Sequence, residues 1–256
     1  MSLLKSRYRN SGAPRKLSQI IKRARQWRFK CTTWRGRNRI RRFSPYCWRI
    51  KLSLKHKGLD FTTIPWRLIE KPAIAPYKSE RVPVIVDNGH GVADSWRIAN
   101  YLEDTYSDRP ALFGSKEGRA LARFYNQWTD SILHVAIAPI VVNDILSHLE
   151  PRDREYFRVS REARLGTTLE SLAADRDRYL AALDQVLEPL RQTLRAQPCL
   201  AGDTPLYPDF IVFGAFQWAR SISKVPLVQP SDPIDTWRQR LLDAFDGFAR
   251  RAPGYW

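Results

Sequence analysis

Residues 43–49 read Phe-Ser-Pro-Tyr-Cys-Trp-Arg and set a short polar side chain immediately before a helix. Pro45 suits the first helical position and Gly58 is a natural stop, so the pattern predicts a helix over 45–57. Free backbone N–H groups and the helix dipole stabilise an anion at such an N-terminus. Ser44 is therefore either a plain helix cap or a group that holds the anionic atom of a ligand.

The chain beyond this helix first alternates strand and helix patterns and then becomes all-helical. Residues 60–66 and 82–86 predict short strands, and Asn88-Gly89 predicts a hairpin turn into a third strand near Val92. A helix capped at Asp94 or Ser95 follows and ends before Arg109-Pro110. Helical periodicity then covers 121–149, with a kink expected at Pro139, and 161–196, 209–221 and 234–250. We expect an α/β domain over 43–111 and an all-helical domain over 116–256.

The net charge of +17 is concentrated at the start of the chain. Residues 1–42 hold 15 Lys and Arg and no acidic residue, whereas the remaining 28 basic residues nearly balance 26 acidic ones. A nucleic-acid-binding surface is therefore expected nowhere but in this basic segment, and we do not favour one. Its amphipathic, Arg-rich pattern also fits an organelle presequence or a membrane-surface helix. No stretch reaches the roughly 18 uninterrupted apolar residues of a membrane span, so we expect no membrane partner.

The cysteines and histidines suggest neither a disulfide framework nor a metal site. Cys31, Cys47 and Cys199 are too few and too far apart for a disulfide framework, which favours a reducing compartment and a cytoplasmic location. The four histidines lack metal-ligand spacing, so we expect no metal.

A second constellation pairs a proline that opens a strand with an acidic helix cap. Arg81-Val82-Pro83 leads into the 82–86 strand, and Asp94-Ser95 begins a helix eleven residues after Pro83. A proline here is compatible with a cis turn whose preceding residue offers its backbone to a peptide ligand. A capping serine beside an aspartate can bind an α-amino acid head group. Each feature alone also fits ordinary strand and cap chemistry.

Taken in order, residues 44–47, 82–86 and 94–103 resemble the glutathione transferase superfamily. Ser-Pro-Tyr-Cys has the form of a glutaredoxin Cys-Pro-Tyr-Cys motif whose attacking cysteine has become serine. A serine cannot exchange disulfides, but its hydroxyl can donate a hydrogen bond to a thiolate. The resemblance covers 43–256 and implies an N-terminal thioredoxin-like domain followed by a C-terminal helical-bundle domain. Residues 56–60, 65–67 and 94–96 are most similar to the bacterial branch that includes the β-aryl etherases.

This resemblance implies a catalytic Ser44 that hydrogen-bonds the sulfur of glutathione, the co-substrate. The implied glutathione-binding residues are Arg81 for the glycine carboxylate, Val82 beside a cis Pro83 for the cysteinyl amide, Asp94 and Ser95 for the γ-glutamyl end, and Tyr46 and Cys47 as alternative sulfur contacts. The second substrate would be a hydrophobic electrophilic small molecule, and the assembly a homodimer. Tyr125, Trp128 and Trp218 are either part of the electrophile pocket or part of the core.

The implied reaction is attack by the glutathione thiolate on an electrophilic carbon. The outcome is conjugation or, in the etherase branch, cleavage of a β-aryl ether with a phenolate as the leaving group. The alternative is a noncatalytic binding protein on the same scaffold. A nucleic-acid-binding basic arm on a globular domain is less favoured.

Two features depart from the family pattern. Leu206 stands where the helix near Asp209 usually has a Ser, Thr or Asn cap, which predicts a weakened cap. Residues 35–42, where the first strand is expected to end, hold five arginines that could not be buried. Either a short first strand lies within 29–34, or it is missing because 32–42 is read out of frame. A one-base shift lets Thr32-Thr33-Trp34-Arg35-Gly36 read Tyr-Asp-Leu-Ala-Gly, and residues 1–42 are then an artefact; otherwise they are a basic, disordered segment.

Overall fold

A mixed four-stranded sheet forms the N-terminal part of this computed structural model, which describes residues 29–38 and 40–256. Its strands are β1 (Phe29–Trp34), β2 (Phe61–Trp66), β3 (Val84–Asp87) and β4 (His90–Ala93). They lie in the order β2-β1-β3-β4, with β2 parallel to β1 and the other pairs antiparallel. The parallel pair requires a crossover, and α1 (Pro45–His56) provides it.

The first strand lies upstream of the arginine-rich stretch. Phe29 and Cys31 are buried in the core, and the small polar Thr33 is buried with them. Because β1 ends at Trp34, the described arginines of 35–42 lie in the connection to α1, where Arg35 is 3.8 Å from Glu150. The arginines of 35–42 that the structure describes therefore lie outside the sheet, so a first strand at 29–34 does not require their burial.

The proposals for the basic N-terminal segment remain predictions. Residues 1–28 and Arg39 lie outside the described residues. A strand at 29–34 needs no shift of the reading frame, but it does not exclude one. Sequencing the codons for residues 31–43 would decide between the two explanations.

The hairpin and the next helix form as the local sequence predicts. Asn88 and Gly89 have φ of 47° and 87°, the left-handed conformation that a tight two-residue hairpin turn requires. The strand expected from residue 82 begins instead at Val84, because Pro83 has no backbone N–H to donate to a neighbouring strand. The Val82–Pro83 peptide bond is cis. Helix α2 (Ser95–Thr105) follows β4.

The second half of the described chain is helical. Its helices are α3 (Lys116–Trp128), α4 (His134–Val141), α5 (Pro151–Leu165), α6 (Leu169–Ala174), α7 (Arg176–Ala196), α8 (Tyr207–Ile222) and α9 (Pro233–Gly247). The helix predicted over 161–196 is broken, because Gly166 has a φ of 71° and Thr168 caps a new helix. The region predicted as one kinked helix over 121–149 is also divided, with a π-helical turn at Thr129–Leu133. No helix within the described ranges is both long and apolar enough to cross a membrane.

Helix α8 lies at the centre of the molecule and positions α1. All of its residues are buried. Gly214 allows close approach, because a Cβ atom at this position would lie 2.6 Å from the carbonyl oxygen of Pro45. At the start of α8, the hydroxyl of Tyr207 donates a 2.9 Å hydrogen bond to the carbonyl of Ser95. One helix thus holds the N-terminal ends of both α1 and α2.

The start of α8 keeps its carboxylate cap although Leu206 replaces a polar residue. The Asp209 carboxylate accepts the N–H groups of Leu206 at 3.1 Å and Leu200 at 2.8 Å, and the indole N–H of Trp237 at 2.8 Å. Burial raises the pKa of Asp209, while these donors oppose the rise. The predicted weakening therefore concerns only the half of the cap that a serine or threonine would supply.

Candidate active site

Ser44 caps α1 and places its hydroxyl at the N-terminus of this helix. Its Oγ accepts the backbone N–H of Cys47 at 3.3 Å, and the residue is 4% exposed. The Cys47 side chain also interacts with this hydroxyl, and this interaction opposes the rise that burial causes in the pKa of the thiol. A serine hydroxyl can rotate, so it can instead donate to an anionic atom placed at the helix N-terminus, where the dipole also favours negative charge.

The two alternative sulfur contacts point in different directions. The Cys47 thiol is fully buried and donates to the carbonyl of Thr32 on β1, with a sulfur–oxygen distance of 3.8 Å. Burial also raises its pKa, so it stays a thiol. Tyr46 is half-buried and lines a cavity, and burial and the nearby Asp130 raise the pKa of its phenol. The structure brings Tyr46 to the cavity and leaves Cys47 behind the helix, against the sheet.

The predicted peptide-binding residues lie together where β3 begins and β4 ends. Val84 pairs with Thr32 on one side and with Ala93 on the other, so the residues just before β3 lie beside those just after β4. Pro83 is buried, whereas Asp94 is exposed with a φ of 77° and accepts the N–H of Arg97 at 3.0 Å.

Ser95 and Arg81 are the other two residues predicted near these strand ends. Ser95 is buried at the first position of α2, and α8 holds its carbonyl. Arg81 is exposed, and its positive charge helps to lower the pKa of Tyr46 against the rise that burial causes. Arg81 therefore lies on the cavity side of the site.

A cavity of about 390 Å³ lies beside Pro45 at the start of α1. Its walls are mainly aromatic and apolar, and two arginines of α5 line it; the side chains used below are Trp34, Tyr46, His134, Arg161, Arg164 and Trp218. Of the three aromatic residues predicted for an electrophile pocket, Trp218 lines the cavity. Tyr125 and Trp128 pack against the core instead.

A charged network under the cavity was not predicted from the sequence. Arg49 is buried and donates to Asp130 at 2.6 Å and to Asn126 at 2.9 Å. His134 Nδ1 lies 3.5 Å from Asp130 Oδ1, and its Nε2 is buried with no partner in the described chain. Burial lowers the pKa of His134 well below its usual value, so the ring is neutral. The spacing of Asp130 and His134, one helical turn apart, was the signal that could have revealed this pair.

Comparisons with known proteins agree with this geometry. A family model of the glutathione S-transferase N-terminal domain matches residues 43–105, and one of the C-terminal domain matches residues 120–239. The chain belongs to the glutathione S-transferase superfamily. The predicted fold, a thioredoxin-like domain followed by a helical domain, is confirmed.

Similar proteins occur in plants and fungi. Glutathione S-transferase U22 of Arabidopsis thaliana is 25% identical over 71% of this chain and 72% of its own length. A probable glutathione S-transferase of Glycine max is 31% identical, but over only 38% of this chain and 45% of its own. The crystal structure of glutathione transferase GSTFuA3 from Phanerochaete chrysosporium is 26% identical, covers 87% of this chain and 94% of its own, and superposes with a TM-score of 0.69.

A second fungal structure shares the fold with this superfamily member. Glutathione S-transferase CsGST63524 of Ceriporiopsis subvermispora, solved in complex with glutathione, has a TM-score of 0.73 and 22% identity. It covers 86% of this chain and 97% of its own.

Residues that could hold a metal are not clustered in the part of the chain that the structure describes. No group of three or more His, Cys, Asp or Glu side chains comes together there.

Proposed function

We propose that the protein is a glutathione transferase in which Ser44 stabilises the thiolate of glutathione. The observation that carries this proposal is the position of the Ser44 hydroxyl, whose oxygen accepts the Cys47 N–H at the N-terminus of α1 and which can rotate to donate to a sulfur placed there. The thiolate would also lie at the positive end of the α1 dipole. Both interactions favour the ionised sulfur and so increase the fraction of reactive nucleophile.

The rest of glutathione would extend past the start of β3 and the end of β4. We propose that the Val82 backbone, ahead of the cis Pro83, pairs with the cysteinyl amide, and that Asp94 and Ser95 bind the γ-glutamyl end. Arg81 would bind the glycine carboxylate. The register that places residues 82–83 beside 94–95 supports this arrangement.

The reaction is substitution at carbon. The thiolate sulfur forms a bond to the electrophilic carbon, and the leaving group departs with the electron pair of the bond that breaks. The protein contributes position and electrostatic stabilisation. A halide leaving group gives conjugation, whereas a phenolate leaving group gives cleavage of an aryl ether.

The cavity beside Ser44 would take an aromatic electrophile that carries a polar group. Its walls are mainly aromatic and apolar, and Arg161 and Arg164 line it as well. Aromatic walls with a few polar side chains favour an aromatic substrate that carries a polar group. A β-aryl ether with a phenol group meets this description, and the resemblance of residues 56–60 to the etherase branch supports it.

We also propose a homodimer in a reducing compartment such as the cytoplasm. Helices α3 and α4 and the turn between them expose large apolar side chains, among them Leu121, Phe124 and Ile132, which are 43%, 63% and 44% exposed. Such a surface is typical of an interface. All three cysteines are free thiols, as a reducing environment would maintain.

The test compares Ser44→Ala with Ser115→Ala. Ser115 caps α3 through a 3.0 Å hydrogen bond from Gly118 N–H and is exposed. Each change removes one cap and costs about 1 kcal/mol of stability. With 1-chloro-2,4-dinitrobenzene as the electrophile, we expect Ser44→Ala to lower kcat roughly 100-fold, the size of effect that loss of one donor to an anion has, because less of the bound glutathione is ionised. Ser115→Ala should leave kcat unchanged.

Binding separates the enzyme from a noncatalytic glutathione-binding protein. Calorimetry with glutathione should give a Kd for Ser44→Ala within a few-fold of the wild-type value. If wild-type protein binds glutathione but turns over neither this electrophile nor a β-aryl ether, the noncatalytic alternative replaces the proposal. Equal kcat in wild type and Ser44→Ala would remove Ser44 from its assigned role.

A further inference from the structure

Two arginines of α5 line the cavity beside Ser44 without a carboxylate of their own. Arg161 and Arg164 are one helical turn apart, so both face the cavity. The nearby carboxylates of Glu162 and Glu170 pair with Arg158 instead. Neither cavity arginine forms an ion pair within residues 29–38 and 40–256. The rest of the chain contains no Asp or Glu, so it offers no side-chain carboxylate either.

The one carboxylate that lines the same cavity is already neutralised. Asp130 accepts a 2.6 Å hydrogen bond from the buried Arg49 and a 3.1 Å hydrogen bond from the Asn126 amide. The Arg49–Asp130 pair therefore adds no net charge. His134 adds none either, because burial lowers its pKa well below the usual value. The positive charges of the two α5 arginines remain without compensation.

Arg161 is held at the wall of the cavity. Its guanidinium carbon lies 4.7 Å from the centroid of the Phe157 ring, and Nη1 donates a 2.9 Å hydrogen bond to Ser160 Oγ. Burial and the positive charges of Arg164 and Arg81 lower the pKa of Arg161 to about 10, so it is still charged at neutral pH. A half-buried guanidinium among other cations is costly, and a ligand anion would reduce this cost.

The arginines share the cavity with the start of α1. Pro45 and Tyr46 line it from α1, next to Ser44, and Trp34 and Trp218 supply aromatic walls. Its volume of about 390 Å³ suits a small organic ligand. A single-ring electrophile with an anionic group at the arginines can therefore keep its reacting carbon inside the same cavity.

We propose that Arg161 and Arg164 select electrophiles that carry an aromatic carboxylate. This inference rests on the proposed transferase function, for which it names the class of second substrate. A guanidinium binds a planar carboxylate through two parallel N–H groups, and the aromatic walls favour a ring. Arg161, fixed against Phe157, is the main contact. Arg164 is exposed and attracts the anion to the entrance.

The test compares 4-chloro-3-nitrobenzoate with its neutral analogue, 4-chloro-3-nitrobenzamide. In both, the glutathione sulfur bonds to the ring carbon that carries chlorine, and chloride leaves with the electron pair of the broken bond. Arg161→Gln should lower kcat/KM for the benzoate at least tenfold and for the benzamide less than twofold. Arg164→Gln should lower the value for the benzoate a few-fold. Each substrate is compared with itself across the proteins, so differences in intrinsic reactivity cancel.

Two further variants separate direct contact from a general effect of charge. Arg154 is an exposed residue of α5, two turns before Arg161, and donates to the Leu149 carbonyl at 3.4 Å. Arg154→Gln should behave like wild type with both substrates, and Arg161→Lys should recover part of the activity with the benzoate. An equal loss in Arg154→Gln and Arg161→Gln would overturn the proposal.

Other outcomes also overturn it. Equal losses with benzoate and benzamide would give Arg161 a purely structural role. A raised KM for glutathione, without a change in preference between the two chlorides, would assign the arginines to glutathione.

Binding of 3-nitrobenzoate, which has no leaving group, keeps the test independent of catalysis. Calorimetry should show binding to wild type that Arg161→Gln weakens at least tenfold, and equal affinities would contradict the proposal. If wild type turns over neither chloride but binds 3-nitrobenzoate through Arg161, the transferase function fails and the carboxylate site stands.

Discussion

At the scale of single residues, buried charges in this protein divide into paired and unpaired groups. Lys57 is fully buried, and its Nζ lies 2.8 Å from Glu103 and 3.1 Å from the carbonyls of Tyr106 and Pro110. Lys51, six residues earlier and within α1, has aromatic rings beside it instead. The sequence shows two similar lysines, and their opposite environments arise from contacts that lie far away along the chain.

Replacing Lys57 should destabilise the whole chain. Lys57→Met leaves the Glu103 carboxylate without its cation, and removal of one partner of a buried pair costs about 3–5 kcal/mol. Urea denaturation at pH 7.5 should show this loss, and Lys116→Met, at an exposed position, should be neutral. A change below 1 kcal/mol would mean that the N–H groups of Leu112 and Phe113, which also bind Glu103, are sufficient.

At the scale of secondary-structure elements, local signals in the sequence predicted several helix starts and the hairpin. Pro45, Asn88 and Gly89 act through their own backbone, so they can be recognised in a sequence. The helix predicted over 161–196 missed the break at Gly166, since an isolated glycine can also lie inside a helix. The direction of the Cys47 thiol and the Arg49–Asp130–His134 network depend on packing between separate elements, which periodicity does not reveal.

The contact between α1 and α8 should be intolerant of a single added methyl group. Gly214→Ala would place a Cβ atom 2.6 Å from the Pro45 carbonyl oxygen and 3.4 Å from Arg49 Cγ. Overpacking of this kind costs about 1–3 kcal/mol. It should also displace the start of α1 and lower transferase kcat, measured with saturating substrates. A fully active variant with unchanged stability would show that the two helices can separate without moving Ser44.

At the scale of the whole molecule, three of the four histidines make stability depend on pH. Burial lowers the pKa of His56, His134 and His148. The unfolded chain, with ordinary values near 6.5, takes up protons first as the pH falls, so acid favours unfolding. This contribution is present above about pH 6.5 and is lost as the pH falls through that value towards the folded pKa values.

We therefore expect the free energy of unfolding to be lower at pH 5.5 than at pH 7.5. Each histidine contributes at most about 1.4 kcal/mol per pH unit. His134→Gln should reduce this dependence, whereas His90→Gln, at an exposed position, should retain it. Urea titrations at both pH values measure the difference. A free energy of unfolding that is equal at both pH values would show that these rings have the same pKa values in the folded and the unfolded chain.

The environment of Lys51 also has a consequence for chemical reactivity. Burial lowers the pKa of its ammonium group to about 7. A large fraction of the side chains then carries a free amine lone pair near neutral pH, beside the ring of Trp48. In that state Lys51 is a nucleophile, and a small acylating reagent that reaches it would modify it.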